Sequence, residues 1–421
     1  MRQFLLIVLF VVLLSDIMLG PGLSFAPGLS FKNAMLYVLF TALVLEFLLG
    51  NRDMLRETWP LHTAWAMLAF YATFTWLAII LLGLHRGYEV VGSFIFLKAQ
   101  LVDLLLFVLV YLYGPKDAKK SVVVLKWLIM LLIVFNFVTM VDFLNIPNLG
   151  IILDRADGRV TGPVKEVNQY GAILIFMIPV TAGLAMASSG MLRLIFGLGA
   201  GLAGLLLILT VSRGSYVGLA VGGIVALYLV RDHVRKESII KGAFIVAIVL
   251  TISVVALLIL NPEGFLKKFD LGGATLDRIS SGRLDVWTRV LTMMSYWPLS
   301  FLTGYGWNSY RVLIGIYGDP HNTYLLYWFN LGLIGLGLYA FIAGWVIKFT
   351  VSSLRHIREA SKPLVIGFII GFIALHVAIF FVQVYNAWLF IWAITGTILR
   401  VIVDERREVM LAATTQEDEE D

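Results

Sequence analysis

Long apolar runs separated by short polar segments dominate the chain. The runs are continuous and lack the alternation that a membrane β-barrel wall requires. Each is close to the roughly 20 residues a helix needs to cross hydrocarbon. Read as helices, they give twelve spans, at about 4–20, 34–50, 60–84, 92–113, 121–143, 169–188, 192–211, 214–231, 241–260, 322–349, 363–382 and 386–403. One polar stretch is long: residues 261–321, between spans nine and ten. Within it Leu284, Trp287, Leu291 and Met294 recur at helical spacing. Asp285 and Arg289 form an i,i+4 pair, Ser280 or Ser281 can cap, and Pro298 supplies a stop. That pattern predicts an amphipathic helix lying along the membrane interface. The expected fold class is an all-α polytopic membrane protein. Residues 1–415 form a single transmembrane domain, and 416–421 an acidic disordered tail.

Composition agrees. The chain is 60% hydrophobic and 14% charged, with mean hydropathy +0.91; soluble domains carry about 25% charged residues. The first run starts at Phe4 with no small-residue cleavage site after it, so it is expected to be a retained helix, not a signal peptide. With no cysteine, disulfides, thiol chemistry and Cys-ligated metals are excluded. Lys and Arg are sided. With the amino terminus inside, 18 fall on the inner side and seven in the short outer segments. The positive-inside rule then places both termini in the cytoplasm and the long loop outside.

Some features read as architecture. Pro21-Gly-Leu-Ser-Phe25 recurs as Pro27-Gly-Leu-Ser-Phe31, a duplicated turn. Gly214, Gly218 and Gly222 repeat every four residues, a close-packing face for a neighbouring helix. Gly197, Gly199, Gly201 and Gly204 mimic a dinucleotide fingerprint, but they lie in an apolar span with no preceding strand. Asp16, Glu46, Lys98, Asp103 and His376 are costly within spans and need partners. Lys98, about two turns from the outer end of span four, either faces a substrate cavity or snorkels to the interface.

Candidate chemistry gathers on the outer side. Arg213 sits in the tight turn between spans seven and eight. Arg283 opens the amphipathic helix, where the positive dipole end disfavours a cation. The same N–H groups plus a guanidinium make a phosphate site. His321, at the mouth of span ten, is a candidate general base. No His-x-x-x-His or Asp-x-Asp pair occurs, so no metal is expected.

Four segments in order carry a resemblance: Ser281-Gly-Arg283-Leu-Asp-Val-Trp287, Gly304-Tyr-Gly306-Trp-Asn-Ser-Tyr310, His321-Asn322-x-x-Leu325 and Leu331-Gly-Leu-Ile-Gly335. Upstream stand Gly158-Arg-Val-Thr-Gly162, Asn168-Gln-Tyr-Gly-Ala172 and Ser212-Arg213-Gly214. Together they resemble the O-antigen ligase/polymerase family over about residues 150–345. One departure stands out: Asn330 replaces the Glu that family members often place before Leu-Gly-x-x-Gly.

The resemblance implies a bacterial inner-membrane glycosyltransferase with a GT-C-like fold and a periplasmic site. It would move a glycan from undecaprenyl pyrophosphate to an acceptor hydroxyl, with inversion and without cofactor or metal. His321, Arg213 and Arg283 are the implied catalytic residues. Arg159, Lys165, Asn168, Asn322 and Lys98 are expected to bind substrate. An O-antigen ligase acting on lipid A-core is favoured. The alternative is a polymerase extending carrier-linked glycan. A transporter or flippase would call for two related halves with broken helices, and none is seen. Membrane lipids are expected partners; nucleic acid is not.

Overall fold

A peptide group in hydrocarbon finds no water to bond, and a helix satisfies its own N–H and C=O groups. The apolar runs are accordingly helical. The computed structural model describes residues 2–19, 24–50, 55–144, 159–234, 237, 251, 255, 282–315, 320–385 and 388–420. In chain order the described helices of four or more residues are α1 (Arg2–Leu19), α2 (Phe31–Leu48), α3 (Trp59–Leu82), α4 (Val90–Leu97), α5 (Asp103–Tyr113), α6 (Ala118–Phe143), α7 (Val167–Met186), α8 (Gly190–Leu209), α9 (Arg213–Val230), α10 (Arg283–Tyr296), α11 (Ser300–Thr303), α12 (Ser309–Leu313), α13 (Thr323–Ser353), α14 (Lys362–Ala378) and α15 (Trp388–Glu420). Among the described residues, eight helical segments are long and apolar enough to cross a membrane, and α14 is a shorter apolar helix. The protein is therefore an all-α membrane protein. The expected ninth span, 241–260, and the first part of the long loop lie outside the described residues. The described part of that loop contains α10, α11 and α12, of which α10 is the helix its pattern predicts. Helix α15 runs on through Glu420, taking in nearly all of the tail for which composition predicts disorder.

The fourth span is broken in an informative way. Helices α4 and α5 are joined by a π-helical turn, Lys98–Val102. The duplicated turn is a hairpin, Ser24–Ala26 pairing with Leu29–Ser30, with Gly28 at φ +75°.

The core around the site is built on α14, which packs between α7 and α9. Glycines set these contacts. A Cβ at Gly218 or Gly222 of α9 would meet Ala378 or Ala374 of α14, the close-packing face the four-residue spacing predicts. On the other side, a Cβ at Gly371 would lie 2.5 Å from the Phe176 carbonyl oxygen of α7. Gly371→Leu should therefore cost about 1–3 kcal/mol by overpacking, read as a lowered thermal transition in detergent. Gly223→Ala, where a Cβ meets nothing within 4 Å, should not lower it. The physical consequence is that α14 cannot slide. The turn after it, 379–385, is held in place next to the amino termini of its neighbours.

Asp16, Glu46, Lys98 and Asp103, expected to need partners within spans, are paired. Lys32 meets Asp16 at 3.0 Å, Arg2 meets Glu46, and Lys98 meets Asp103 at 2.8 Å. His376 is buried, with Nδ1 2.8 Å from the Phe372 carbonyl.

Candidate active site

The turn between α8 and α9 is only three residues long, and its backbone is strained. Val211 has φ +50°, a left-handed conformation that a β-branched residue avoids. Such a conformation costs of order 1–3 kcal/mol and persists only when neighbours enforce it. The neighbours are identifiable. Arg159 Nε donates to the Thr210 carbonyl at 2.8 Å and its Nη2 to the Val211 carbonyl at 3.1 Å. Ser212 Oγ donates to Asn168 Oδ1 at 3.0 Å, and Ser215 Oγ donates to Ser212 Oγ at 3.0 Å. The turn thereby fixes Arg213 as the first residue of α9. Arg159 and Asn168, expected as substrate contacts, have these side-chain groups bound within the turn.

Helix α7 begins beside this turn. Glu166 caps it, accepting from the Asn168 N–H at 3.1 Å and the Gln169 N–H at 2.5 Å. Glu166 also accepts from Asn168 Nδ2 at 3.0 Å. Lys165 precedes it, exposed and at φ +56°, its N–H closing a turn onto the Gly162 carbonyl at 3.0 Å.

Arg283 opens α10 behind Gly282, which takes the cap position at φ +77°. The candidate caps Ser280 and Ser281 lie outside the described residues. The Arg283 guanidinium is partly buried, and its Nε is a buried donor with no hydrogen-bond partner among the described residues. Its pKa is pushed below the ordinary value, first by burial, then by the Arg213 charge; Glu166 opposes the shift and Arg159 adds to it. Three arginines and one carboxylate from three separated segments thus share one electrostatic neighbourhood. The Asp285–Arg289 pair forms at 2.8 Å. The helix also has a protein-facing side. Val286, Val290 and Met294 are the buried positions and pack with Tyr310, Leu325 and Phe329. Leu284 and Leu291 are 40% and 42% exposed. Helix α10 therefore has one face on protein and a second apolar edge exposed toward the interface.

Helix α13 starts against α10. Trp287, one turn after Arg283, donates its indole N–H to the Pro320 carbonyl at 2.7 Å. This bond holds the residue before His321, which itself sits at φ +45°. Asn322 is only 4% exposed, and its side chain accepts the Leu325 N–H at 2.9 Å. It is a helix cap. The turn after α14 closes the arrangement. The Thr323 N–H donates to the Ile379 carbonyl at 2.9 Å, Gly214 abuts Phe381, and the Tyr385 N–H donates to Gln169 Oε1 at 3.1 Å. Among the described residues, four helix amino termini (α7, α9, α10 and α13) are thus linked around one locus. Removing the indole bond should loosen it. Trp287→Phe is expected to keep the fold and to lower turnover about fivefold, the worth of about 1 kcal/mol for one hydrogen bond, measured as initial rate per folded protein.

Two further polar residues have structural partners. Lys98 pairs with Asp103, which also accepts from Asn33 Nδ2 at 2.7 Å and the Tyr37 hydroxyl at 2.8 Å; it belongs to a polar cluster within the bilayer-crossing helices. Asn330 accepts the Tyr310 N–H through Oδ1 at 2.9 Å, and its carbonyl accepts the Gly306 N–H at 2.8 Å. It therefore anchors the 304–310 loop. An amide oxygen can make that bond without charge, which accounts for Asn at this position. Gly332 beside it kinks α13 at φ +63°, and a Cβ there would strike the Leu302 carbonyl.

Residues 198–340, containing Arg213, Arg283 and His321, match the family model described as O-antigen ligase. The match supports the O-antigen ligase/polymerase family. Over that segment the chain is similar to O-antigen ligases, a family that suggests a glycan-processing membrane enzyme. No curated protein matches the chain. Sequence reasoning passed over Glu166, Trp287 and the strained Val211. Trp287 lies inside a quoted motif, but only its role as an apolar residue was visible. Glu166 carried no signal beyond its place before Asn168-Gln-Tyr-Gly.

Proposed function

We propose that the protein is a periplasmic-side, metal-independent, inverting glycosyltransferase that moves a glycan from undecaprenyl pyrophosphate to an acceptor hydroxyl, as an O-antigen ligase acting on lipid A-core. One observation carries the reading. Arg283 has a buried unpartnered Nε and stands in the field of Arg213 and Arg159, while Arg213 and Arg283 are each the first residue of a helix. Cations at helix amino termini are unfavourable. A dianionic group placed there turns that cost into attraction, through guanidinium and backbone N–H donors alike.

The pyrophosphate of a lipid carrier must stay at the membrane surface, because its tail is in lipid. In the proposed step the His321 imidazole takes the acceptor hydroxyl proton. The acceptor oxygen bonds to the anomeric carbon, the bond from that carbon to the phosphate oxygen breaks, and the electron pair leaves on the pyrophosphate. Arg213 and Arg283 stabilise that charge as fixed donors. They supply the role a divalent ion plays elsewhere, so a chelator should leave the transfer rate unchanged. Strong inhibition reversed by a divalent ion would overturn the metal-free step.

Reconstitution with carrier-linked glycan and lipid A-core tests the assignment. Transfer onto the core is the expected result. Chain extension on the carrier with no core acceptor present would replace the ligase by a polymerase.

A further inference from the structure

We propose that residues 296–307, between α10 and α12, form a re-entrant wedge whose exposed edge is solvated by lipid hydrocarbon. This edge would meet lipid whatever reaction the protein performs. From 290 to 310 the chain carries no charged residue for 21 positions, and Tyr296, Trp297, Tyr305, Trp307 and Tyr310 fall among them. Tyr and Trp in an uncharged, apolar stretch mark the membrane boundary.

Three helices give the depth, and each belongs to a segment long and apolar enough to cross a membrane. A Cβ at Gly306 would meet Ile79 and lie 3.4 Å from the Thr75 carbonyl oxygen, seven residues before the end of α3. Trp307 lies 5.5 Å from Phe96 between ring centroids, six residues after the start of α4. The Tyr305 and Gly306 N–H groups donate to the Phe329 and Asn330 carbonyls at 2.9 Å and 2.8 Å, six and seven residues after the start of α13. At 1.5 Å per residue, six or seven residues span about 10 Å. All three helices therefore place 305–307 at the same level, below their ends. The expected outer loop 261–321 dips back into the leaflet here, deeper than an interfacial helix such as α10.

The backbone is treated as hydrocarbon requires. Irregular backbone at membrane depth is tolerated only where protein satisfies its polar groups. The carbonyls of Phe301, Thr303, Tyr305 and Trp307 each accept from a side chain: Trp328 Nε1 at 3.0 Å, the Tyr71 hydroxyl at 2.8 Å, His85 Nε2 at 2.8 Å and the Tyr88 hydroxyl at 2.5 Å. A loop in water needs no such donors, because solvent supplies them. The side chains divide accordingly. Ser300, Gly304, Gly306 and Trp307 are buried, while Tyr296, Trp297, Leu299 and Leu302 are between 45% and 80% exposed. Lipid chains are the partner that suits this uncharged edge at that level.

The chain has no cysteine, so a single-cysteine variant carries one spin label. Leu299→Cys and Leu302→Cys are labelled in full-length protein in phospholipid nanodiscs, and collisions with oxygen and with a water-soluble nickel chelate are measured by power saturation. Phe74→Cys, at an exposed position of α3, and Glu89→Cys, in the exposed 83–89 turn, serve as references. The oxygen-to-nickel ratio at 299 and 302 should match Phe74→Cys and exceed Glu89→Cys about tenfold, since a polar chelate is excluded from hydrocarbon. A ratio equal to that of Glu89→Cys would overturn the wedge. Inaccessibility to both reagents would also overturn it, assigning the edge to a protein contact such as a second copy. If the labelled variants fail to fold, the wild type is irradiated in nanodiscs of phospholipid bearing an acyl-chain diazirine. Adducts are then expected at 296–302 by peptide mass spectrometry; adducts at 70–74 with none at 296–302 would overturn the proposal.

Discussion

Arg283→Ala should lower glycan transfer about 10²–10³-fold, the worth of about 3–4 kcal/mol of charge stabilisation in the transition state. The protein should remain inserted and folded. Its thermal transition should not fall, because the substitution removes a partly buried cation that Arg213 and Arg159 oppose. Arg283→Lys should recover little activity, since an ammonium cannot reproduce a two-pronged donor to phosphate. A second measurement separates binding from chemistry. Inorganic pyrophosphate should raise the melting temperature of the wild type by preferential binding to the folded state, and should raise that of Arg283→Ala much less. Near-normal transfer by the alanine variant would defeat the proposed site.

His321→Ala should cost about 10²–10⁴-fold in transfer, the range for loss of a general base. It should leave the pyrophosphate-induced stabilisation intact, because the anion is held by other residues. The backbone makes a further control informative. At φ +45° alanine is strained where glycine is not, so His321→Gly relieves the turn while removing the imidazole. If both variants are inactive, the ring is what matters. A glycine variant with substantial activity would reassign His321 to shaping the entry of α13.

Much of the fold was legible because the bilayer imposes a simple rule. Apolar runs of sufficient length must be helices, and most of the described helices lie within a few residues of the predicted spans. The arginines at 213 and 283 and the imidazole at 321, on which the proposed site rests, stood out because charged residues at the edges of apolar runs are conspicuous. Partners were not legible. Arg159, Asn168 and Asn322 have the right chemistry to bind a sugar phosphate, yet each has at least one side-chain group bound to local backbone or turn groups. A motif gives a residue's type and place along the chain; whether its donors are already satisfied depends on distant segments. The protein-facing side of α10 was hidden for a related reason. Helical spacing alone admits more than one face on a short helix, and Tyr310, Leu325 and Phe329 select Val286, Val290 and Met294.

The sequence by itself determined the solvent of this protein and hence its secondary structure, because hydrophobicity is additive along the chain. It also determined, through the sidedness of Lys and Arg, the expectation that the polar clusters share one side. Only the tertiary structure decided that the amino termini of α7, α9, α10 and α13 are linked around one locus. Glycine contacts seat α14 between α7 and α9, and the turn at 379–385 ties those helices to α13. The charge on Arg283 acquires its meaning there. Repulsion from Arg213 and an unpartnered buried N–H depend on separations in space, and the 69 residues between positions 213 and 283 say nothing about those separations.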